Sequence, residues 1–137
     1  MGFRKIRFRL GGTTSTLFLV IGDLVALAVL TFIGFAAHGE TDASFLPRMG
    51  LTFLAQAIAW FALAFAMGLL DASRAGRARP LWRPALTGFF AAQLAVNLRG
   101  LALGSAVQPV FALVLGATTA LGMTLWRWIA RRVKRNV

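Results

Sequence analysis

The stretch LFLVIGDLVALAVLTFIGFAA occupies residues 17–37 and carries a single ionisable side chain, that of Asp23. About 20 consecutive apolar residues are enough for an α-helix to cross the hydrocarbon core of a bilayer. The run is longer than the apolar region of a secretory signal peptide, which spans about 7–15 residues. We therefore interpret it as a retained transmembrane helix.

The rest of the chain repeats this pattern, and its apolar runs predict spans at 15–37, 50–70, 81–104 and 108–128. With 58% apolar residues and a mean hydropathy of +0.74, the chain is too apolar for a soluble domain of 137 residues. Only short connections remain between the spans, so residues 1–137 are predicted to form a single membrane domain. The runs lack the alternation of strands, and a spanning segment has to satisfy its own backbone hydrogen bonds. The predicted fold class is therefore all-α, a polytopic membrane protein with four transmembrane helices in an up-down bundle.

Thirteen of the fifteen Lys and Arg residues lie in three basic patches on one predicted side of the membrane. One patch precedes the first span, one separates the second from the third, and one follows the fourth. Their members are Arg4, Lys5, Arg7 and Arg9; Arg74, Arg77, Arg79 and Arg83; and Arg127, Arg131, Arg132, Lys134 and Arg135. Basic loops stay on the cytoplasmic side, so the N- and C-termini are predicted to be cytoplasmic. Trp82, Trp126 and Trp128 fall at the same predicted ends, as an interfacial aromatic belt does.

The net charge of +11 is divided among these membrane ends instead of covering one soluble face, which argues against a nucleic-acid partner. Anionic lipid headgroups at the cytoplasmic face are the predicted partners of the basic residues. Small residues recur on every span at the spacing that lets helices approach closely. They are Ala55, Ala59, Ala62 and Ala66, and the pairs Gly22 with Ala26, Gly88 with Ala92, and Gly116 with Ala120. They predict tight packing within the bundle, or else a homodimer or protein-partner face.

An ionisable group inside a membrane is a candidate functional site, because its insertion is costly. At about 1.5 Å of rise per residue, Asp23 lies roughly 12 Å from the cytoplasmic edge of its span. Thr118 and Thr119 on the fourth span, and Gln93 on the third, are expected at similar depths. We predict an intramembrane polar site built on Asp23 with these three residues as hydrogen-bond donors. It serves either interhelical hydrogen bonding or the handling of a proton, an ion or a ligand.

A second candidate site is a polar cluster near the outer face. Its members are His38, Glu40, Gln56, Asn97 and Arg99. Arg99 is too far above Asp23 for an easy direct pair, so Glu40, Asp42 or lipid headgroups are its expected partners.

Enzyme chemistry is not predicted. The chain has no cysteine and one histidine, which excludes disulfides, thiolate nucleophiles and a bis-His haem within one subunit. No catalytic triad, phosphate-binding loop or dinucleotide fingerprint is present. The acidic residues and His38 do not form a convincing metal site. We predict no catalytic residue, no metal and no cofactor.

Several positions resemble a domain-of-unknown-function family of small four-helix membrane proteins of bacteria and archaea. The similar positions are Asp23, Gly34, His38, Gly39 and Glu40; Gly88, Leu98 and Arg99; and Pro109, Leu125, Trp126 and Arg127. The second helix departs from the family pattern, with Leu51-Thr52-Phe53 in place of a Pro-Phe start and Ala59-Trp60 in place of a Gly-Trp pair. The resemblance covers most of residues 15–130. It implies a prokaryotic cytoplasmic membrane and points to Asp23, His38 and Arg99, without naming a reaction.

Three functions remain open on the sequence. The favoured one is a non-enzymatic membrane protein, a helix-packing and lipid-contacting accessory or scaffold subunit of a larger assembly. The second is a small proton- or cation-coupled transporter or channel that uses Asp23. The third is a binder of an apolar cofactor such as a quinone or carotenoid, in a groove lined by Trp60, Phe61, Phe89 and Phe90.

Overall fold

The computed structural model describes residues 11–71 and 80–136, and it shows an all-α fold with no strand in those ranges. The helices are α1 (Gly11–Ala37), α2 (Leu46–Ala66), α3 (Trp82–Leu103) and α4 (Pro109–Asn136), with a short 3₁₀ turn at Ala43–Phe45 before α2. Each of the four contains a segment long and apolar enough to cross a membrane. The predicted four-helix membrane bundle is confirmed, and the chain is a multi-pass membrane protein.

Helices that follow one another in the chain pack side by side, and α4 closes the bundle against α1. In the described residues, the backbones of α1 and α3, and of α2 and α4, stay apart across the diagonals. Asp23 contacts Trp60, whereas Thr31, one level further along α1, contacts the earlier Gln56, so α1 and α2 run in opposite directions. The result is a square up-down arrangement with one central core.

The helix limits follow from local turn chemistry. Pro47 lies in the first turn of α2, where its missing N–H costs nothing, and α2 begins four residues before the predicted limit. Gly68 ends the same helix with a φ of +66°, and the N–H of Leu69 turns back to the carbonyl of Ala64. Gly104, also left-handed, ends α3 at the predicted limit. The backbone around Leu69 is thus non-helical and its carbonyl is available to another helix.

Helix α4 continues to Asn136, eight residues beyond the predicted limit of its span. Its last basic residues lie along the helix surface: Lys134 Nζ is 3.5 Å from the carbonyl oxygen of Ser15, and the Arg132 guanidinium lies 5.0 Å from the Trp128 ring centroid. This end of the bundle, where α1 begins and α4 ends, is called the basic end below.

The interior contains many small and polar residues beside a few large apolar ones, whereas the outside is apolar. Ala59, Ala64 and Ala92 are fully buried. Leu17, Ile21, Val25, Val29 and many other large apolar side chains are exposed, as a lipid-facing surface requires. Of the small-residue stripe on α2, Ala55 and Ala59 face the core, and Ala62 and Ala66 face outward.

Candidate functional site

The carboxylate of Asp23 is fully buried and both of its oxygens accept hydrogen bonds. The indole Nε1 of Trp126 donates to Oδ1 at 2.9 Å, and that of Trp60 donates to Oδ2 at 2.9 Å. Arg127 Nη2 lies 2.5 Å from Oδ2 and forms an ion pair with it. One side chain of α1 is therefore held by three donors from α2 and α4.

Arg127 is the cation of this site and is only 7% exposed. Its Nη1 donates to the carbonyl oxygen of Leu69 at 2.8 Å, just beyond the end of α2. Its guanidinium also lies 5.8 Å from the ring centroid of Trp60, a favourable cation–π distance. A carboxylate, a carbonyl and an aromatic face together fix the orientation of the cation. We call Asp23, Trp60, Leu69, Trp126 and Arg127 the ion-pair cluster.

The sequence brings these residues together through the buried face of α4 and through Gly22. Buried residues of α4 recur every three or four positions, as one face of a helix does, and Arg127 belongs to that series. They are Ala112, Gly116, Thr119, Met123, Arg127 and Ala130. A Cβ atom on Gly22 would overlap the indole of Trp126. The glycine therefore leaves room for the ring that donates to the next residue, Asp23.

The cluster lies well inside the bundle. The Ser15 carbonyl and Lys134 are level with each other near the basic end. Asp23 is eight residues from Ser15 and Arg127 seven from Lys134, which at 1.5 Å per residue places the ion pair about 10–12 Å inward. At that depth each charge is costly unless it is paired and hydrogen-bonded.

A neutral polar layer lies further along the core from the ion pair. Gln56 Nε2 donates to Thr119 Oγ1 at 3.1 Å, and Gln56 Oε1 is 3.0 Å from the Thr31 hydroxyl. That hydroxyl is also 2.8 Å from the Leu27 carbonyl of its own helix. Like the ion pair, this layer joins α1, α2 and α4, so two levels of polar contact connect the same three helices.

The residues predicted to accompany Asp23 lie elsewhere. Thr119 belongs to the neutral layer, and Thr118, about 100° further round α4, is exposed and hydrogen-bonded to its own helix at Val114. Gln93 donates to the Ala112 carbonyl at 2.9 Å and joins α3 to α4. Gln93 does not reach Asp23 because α3 and α1 stand on opposite corners of the bundle.

The residues of the predicted outer-face cluster are not gathered into one site. Gln56 points into the core, whereas His38 is exposed and Asn97 donates to the Gln93 carbonyl of its own helix. The Arg99 guanidinium lies 5.6 Å from the Phe111 ring centroid. Within the described residues neither Glu40 nor Asp42 pairs with it.

The aromatic residues predicted to line an apolar-ligand groove do not share one exposed surface. Trp60 is fully buried in the core, and Phe90 is 57% exposed on the outer surface. Phe89 and Phe90 contact each other edge to face, with ring centroids 5.8 Å apart.

Replacing Trp60 with Phe is expected to lower the free energy of unfolding by about 1.5–3 kcal/mol, the usual range for a hydrogen bond to a charged group. Phenylalanine lacks the five-membered ring of the indole, so Asp23 Oδ2 loses one donor and a small cavity remains at this fully buried position. Reversible unfolding in mixed micelles, followed by circular dichroism, measures the loss. Trp82→Phe is the matched control, because that side chain is 55% exposed and its indole has no hydrogen-bond partner in the described ranges. Equal losses in the two variants would contradict this role of Trp60.

Comparison with known proteins identifies a family but no characterised relative. The family model "Protein of unknown function (DUF3054)" matches residues 20–130, which include the whole ion-pair cluster. Searches of curated proteins and of solved structures gave no match. The resemblance inferred from the sequence is confirmed, and the chain belongs to the DUF3054 family.

Proposed function

We propose that this protein is a non-enzymatic integral membrane protein, a helix-packing and lipid-contacting accessory or scaffold subunit of a larger membrane assembly. The observation that carries the proposal is that the Asp23 carboxylate is inaccessible and already hydrogen-bonded. It is fully buried, and its two oxygens already accept from two indoles and one guanidinium. No side of it is open to a substrate.

The arrangement suits a structural role on chemical grounds. A catalytic or transport carboxylate has to exchange partners during its cycle, whereas the donors on Asp23 are packed within two other helices, Trp60 on α2 and Trp126 with Arg127 on α4. Both oxygens of the buried Asp23 carboxylate are hydrogen-bonded, and a buried polar group satisfied in this way stabilises one specific arrangement of helices. The ion pair and the neutral layer both act between α1, α2 and α4, which supports a fixed bundle that presents its outer faces to partners.

The proposal includes an orientation and partners. The basic end faces the cytoplasm in a prokaryotic cytoplasmic membrane, where its cations meet anionic headgroups. Protein contacts, either with another polypeptide or with a second copy, use outer faces that carry small residues, such as Ala62 and Ala66 on α2. Neither a cofactor nor a nucleic acid is part of the proposal.

Native mass spectrometry of the protein, gently extracted from its own membranes, tests the assembly. We expect the chain to be recovered together with at least one other polypeptide. An unrelated membrane protein of similar size, extracted in parallel, identifies polypeptides that co-extract without specificity. Recovery of the chain only as a free monomer or dimer would contradict the accessory role.

A small proton- or cation-coupled transporter or channel is the second candidate, and one observation favours it. Asp23 and Arg127 belong to different helices, so a proton or cation at the carboxylate would compete with the guanidinium and loosen α4 from α1. On this hypothesis Asp23→Asn abolishes flux in proteoliposomes, and Asp42→Asn, at an exposed position, leaves it unchanged. Wild-type vesicles with no flux above empty ones would exclude the tested ions.

A further inference from the structure

A groove of about 330 Å³ runs along the outer surface between α1 and α4. It is lined by Phe18, Ile21, Gly22, Val25, Ala26 and Trp126. Gly22 and Ala26 lie on one face of α1, one turn apart, and the Trp126 ring packs directly against Gly22. The Trp126 indole forms its wall, and hydrogen bonding to Asp23 fixes that ring in place. The groove is therefore a formed feature of the surface with a rigid aromatic side.

A cation lies beside this groove towards the basic end. Lys134 Nζ is 5.7 Å from the ring centroid of Phe18, which itself lines the groove. Its polar partner in the described residues is the Ser15 carbonyl oxygen, so no carboxylate there neutralises the ammonium. The apolar groove therefore has a positive charge without a counter-charge at the end that faces the basic end of the bundle.

The dimensions fit one class of ligand. The lined part of the groove runs from Phe18 to Ala26, about 12 Å along α1, and its inner end lies about 15–17 Å from the level of Ser15 and Lys134. Half of the ~30 Å hydrocarbon core of a bilayer is about 15 Å, the reach of an acyl chain in one leaflet. A molecule with an apolar tail of this length and an anionic head at the interface would satisfy both the groove and Lys134.

We propose that the groove between α1 and α4 is a binding site for an anionic phospholipid, with one acyl chain against Trp126 and the headgroup at Lys134. This deepens the lipid-contacting part of the proposed function and rests on it, but it does not depend on a protein assembly. The acyl chain packs on the Trp126 indole, which donates to Asp23. A bound lipid therefore helps to hold this ring in the ion-pair cluster.

Native mass spectrometry of the purified, delipidated full chain, titrated with dioleoyl phosphatidylglycerol or dioleoyl phosphatidylcholine, tests the site. We expect one phosphatidylglycerol per chain, bound about fivefold more tightly than phosphatidylcholine, the factor that one cation near an anionic surface contributes. Lys134→Gln should remove that preference. Val25→Trp should fill the groove and weaken the binding of both lipids.

Two matched variants separate a site from general attraction. Arg135→Gln removes an exposed cation next to Lys134, and Val29→Trp adds the same ring one turn beyond the groove. Both are expected to bind like wild type. The proposal is overturned by equal affinity for the two lipids, by an equal loss in Arg135→Gln and Lys134→Gln, or by unchanged binding in Val25→Trp. Competition by glycerol 3-phosphate would also overturn it in favour of a free-anion site.

The outcome is distinguishable from that of the assembly test. Lipid binding is measured on the isolated chain, whereas assembly is measured on material from native membranes. If the chain binds phosphatidylglycerol but is recovered without other polypeptides, the lipid site is supported and the accessory role is contradicted. If it is recovered with another polypeptide but shows no preference for phosphatidylglycerol, the accessory role is supported and the lipid site is contradicted.

Discussion

Asp23→Leu is expected to lower the free energy of unfolding by about 3–5 kcal/mol, the usual loss when one partner of a buried ion pair is removed. The substitution leaves the Arg127 guanidinium, 7% exposed, with a carbonyl and an aromatic face but no counter-charge. Both indoles also lose their acceptor. Reversible unfolding in mixed micelles with increasing dodecyl sulfate, followed by circular dichroism, measures the change.

The double variant Asp23→Leu with Arg127→Met separates the energy of the pair from the cost of breaking it. Replacing both members of a buried pair by apolar residues is often close to neutral, so the double variant should be more stable than either single one. Asp42→Ala, at an exposed position, is the control and should change stability little. If the losses of the single variants simply add in the double variant, the ion pair is not the cause.

Gly88→Leu is expected to lower the free energy of unfolding by about 3 kcal/mol or more, at the upper end of the range for overpacking. A Cβ atom on Gly88 would lie 3.1 Å from both the Ala120 Cα and the Thr119 carbonyl oxygen, which are backbone atoms of α4. The remaining atoms of a leucine would force α3 and α4 apart. The same micelle unfolding experiment measures this loss.

Gly34→Leu is the matched control for this prediction. A Cβ atom on Gly34 would have no heavy atom within 4 Å, since the residue lies on the outer surface of α1. Its substitution should leave stability nearly unchanged and extend the lipid-facing surface. A comparable loss in the two variants would show that glycine flexibility matters here, and close packing of α3 on α4 does not.

The fold was largely predictable because a membrane span depends mainly on the length and apolarity of a run. Residues 17–37 alone specify one helix, and the predicted end of α3 agrees with the left-handed Gly104. Four limits differ from the prediction by four residues or more: the start of α1, both ends of α2 and the end of α4. Pro47 permits α2 to begin early, and α4 stays helical past Trp128 because its basic residues can lie along the helix surface.

The candidate site was predictable only in part. Asp23 stands out in any apolar run, but its partners depend on how the helices are rotated about their axes, which hydropathy does not report. A Trp followed by an Arg at the end of a span is typical of an interfacial belt and a basic end, so the sequence predicts Trp126 and Arg127 at the membrane surface. The sequence likewise does not show that Trp60 donates to Asp23, because an aromatic residue within a span is equally typical of an apolar groove.

One sequence signal did point to Arg127. The small and polar residues Gly116 and Thr119 recur at helical spacing and continue through Met123 to Arg127. A face with that spacing, extended past the expected end of the span, places Arg127 on the core side of α4. Asp23 is expected about 12 Å from the cytoplasmic edge, and Arg127, seven residues before Lys134, lies at a similar depth of about 10 Å.

The ion pair also has a consequence for biosynthesis, because its two members are 104 residues apart in the chain. At about 5–20 residues per second, the ribosome delivers Arg127 roughly 5–20 s after Asp23. During that interval α1 carries an acid whose cation has not yet been made. A nascent chain that stops before α4 keeps an acid inside the bilayer without its cation, which is costly.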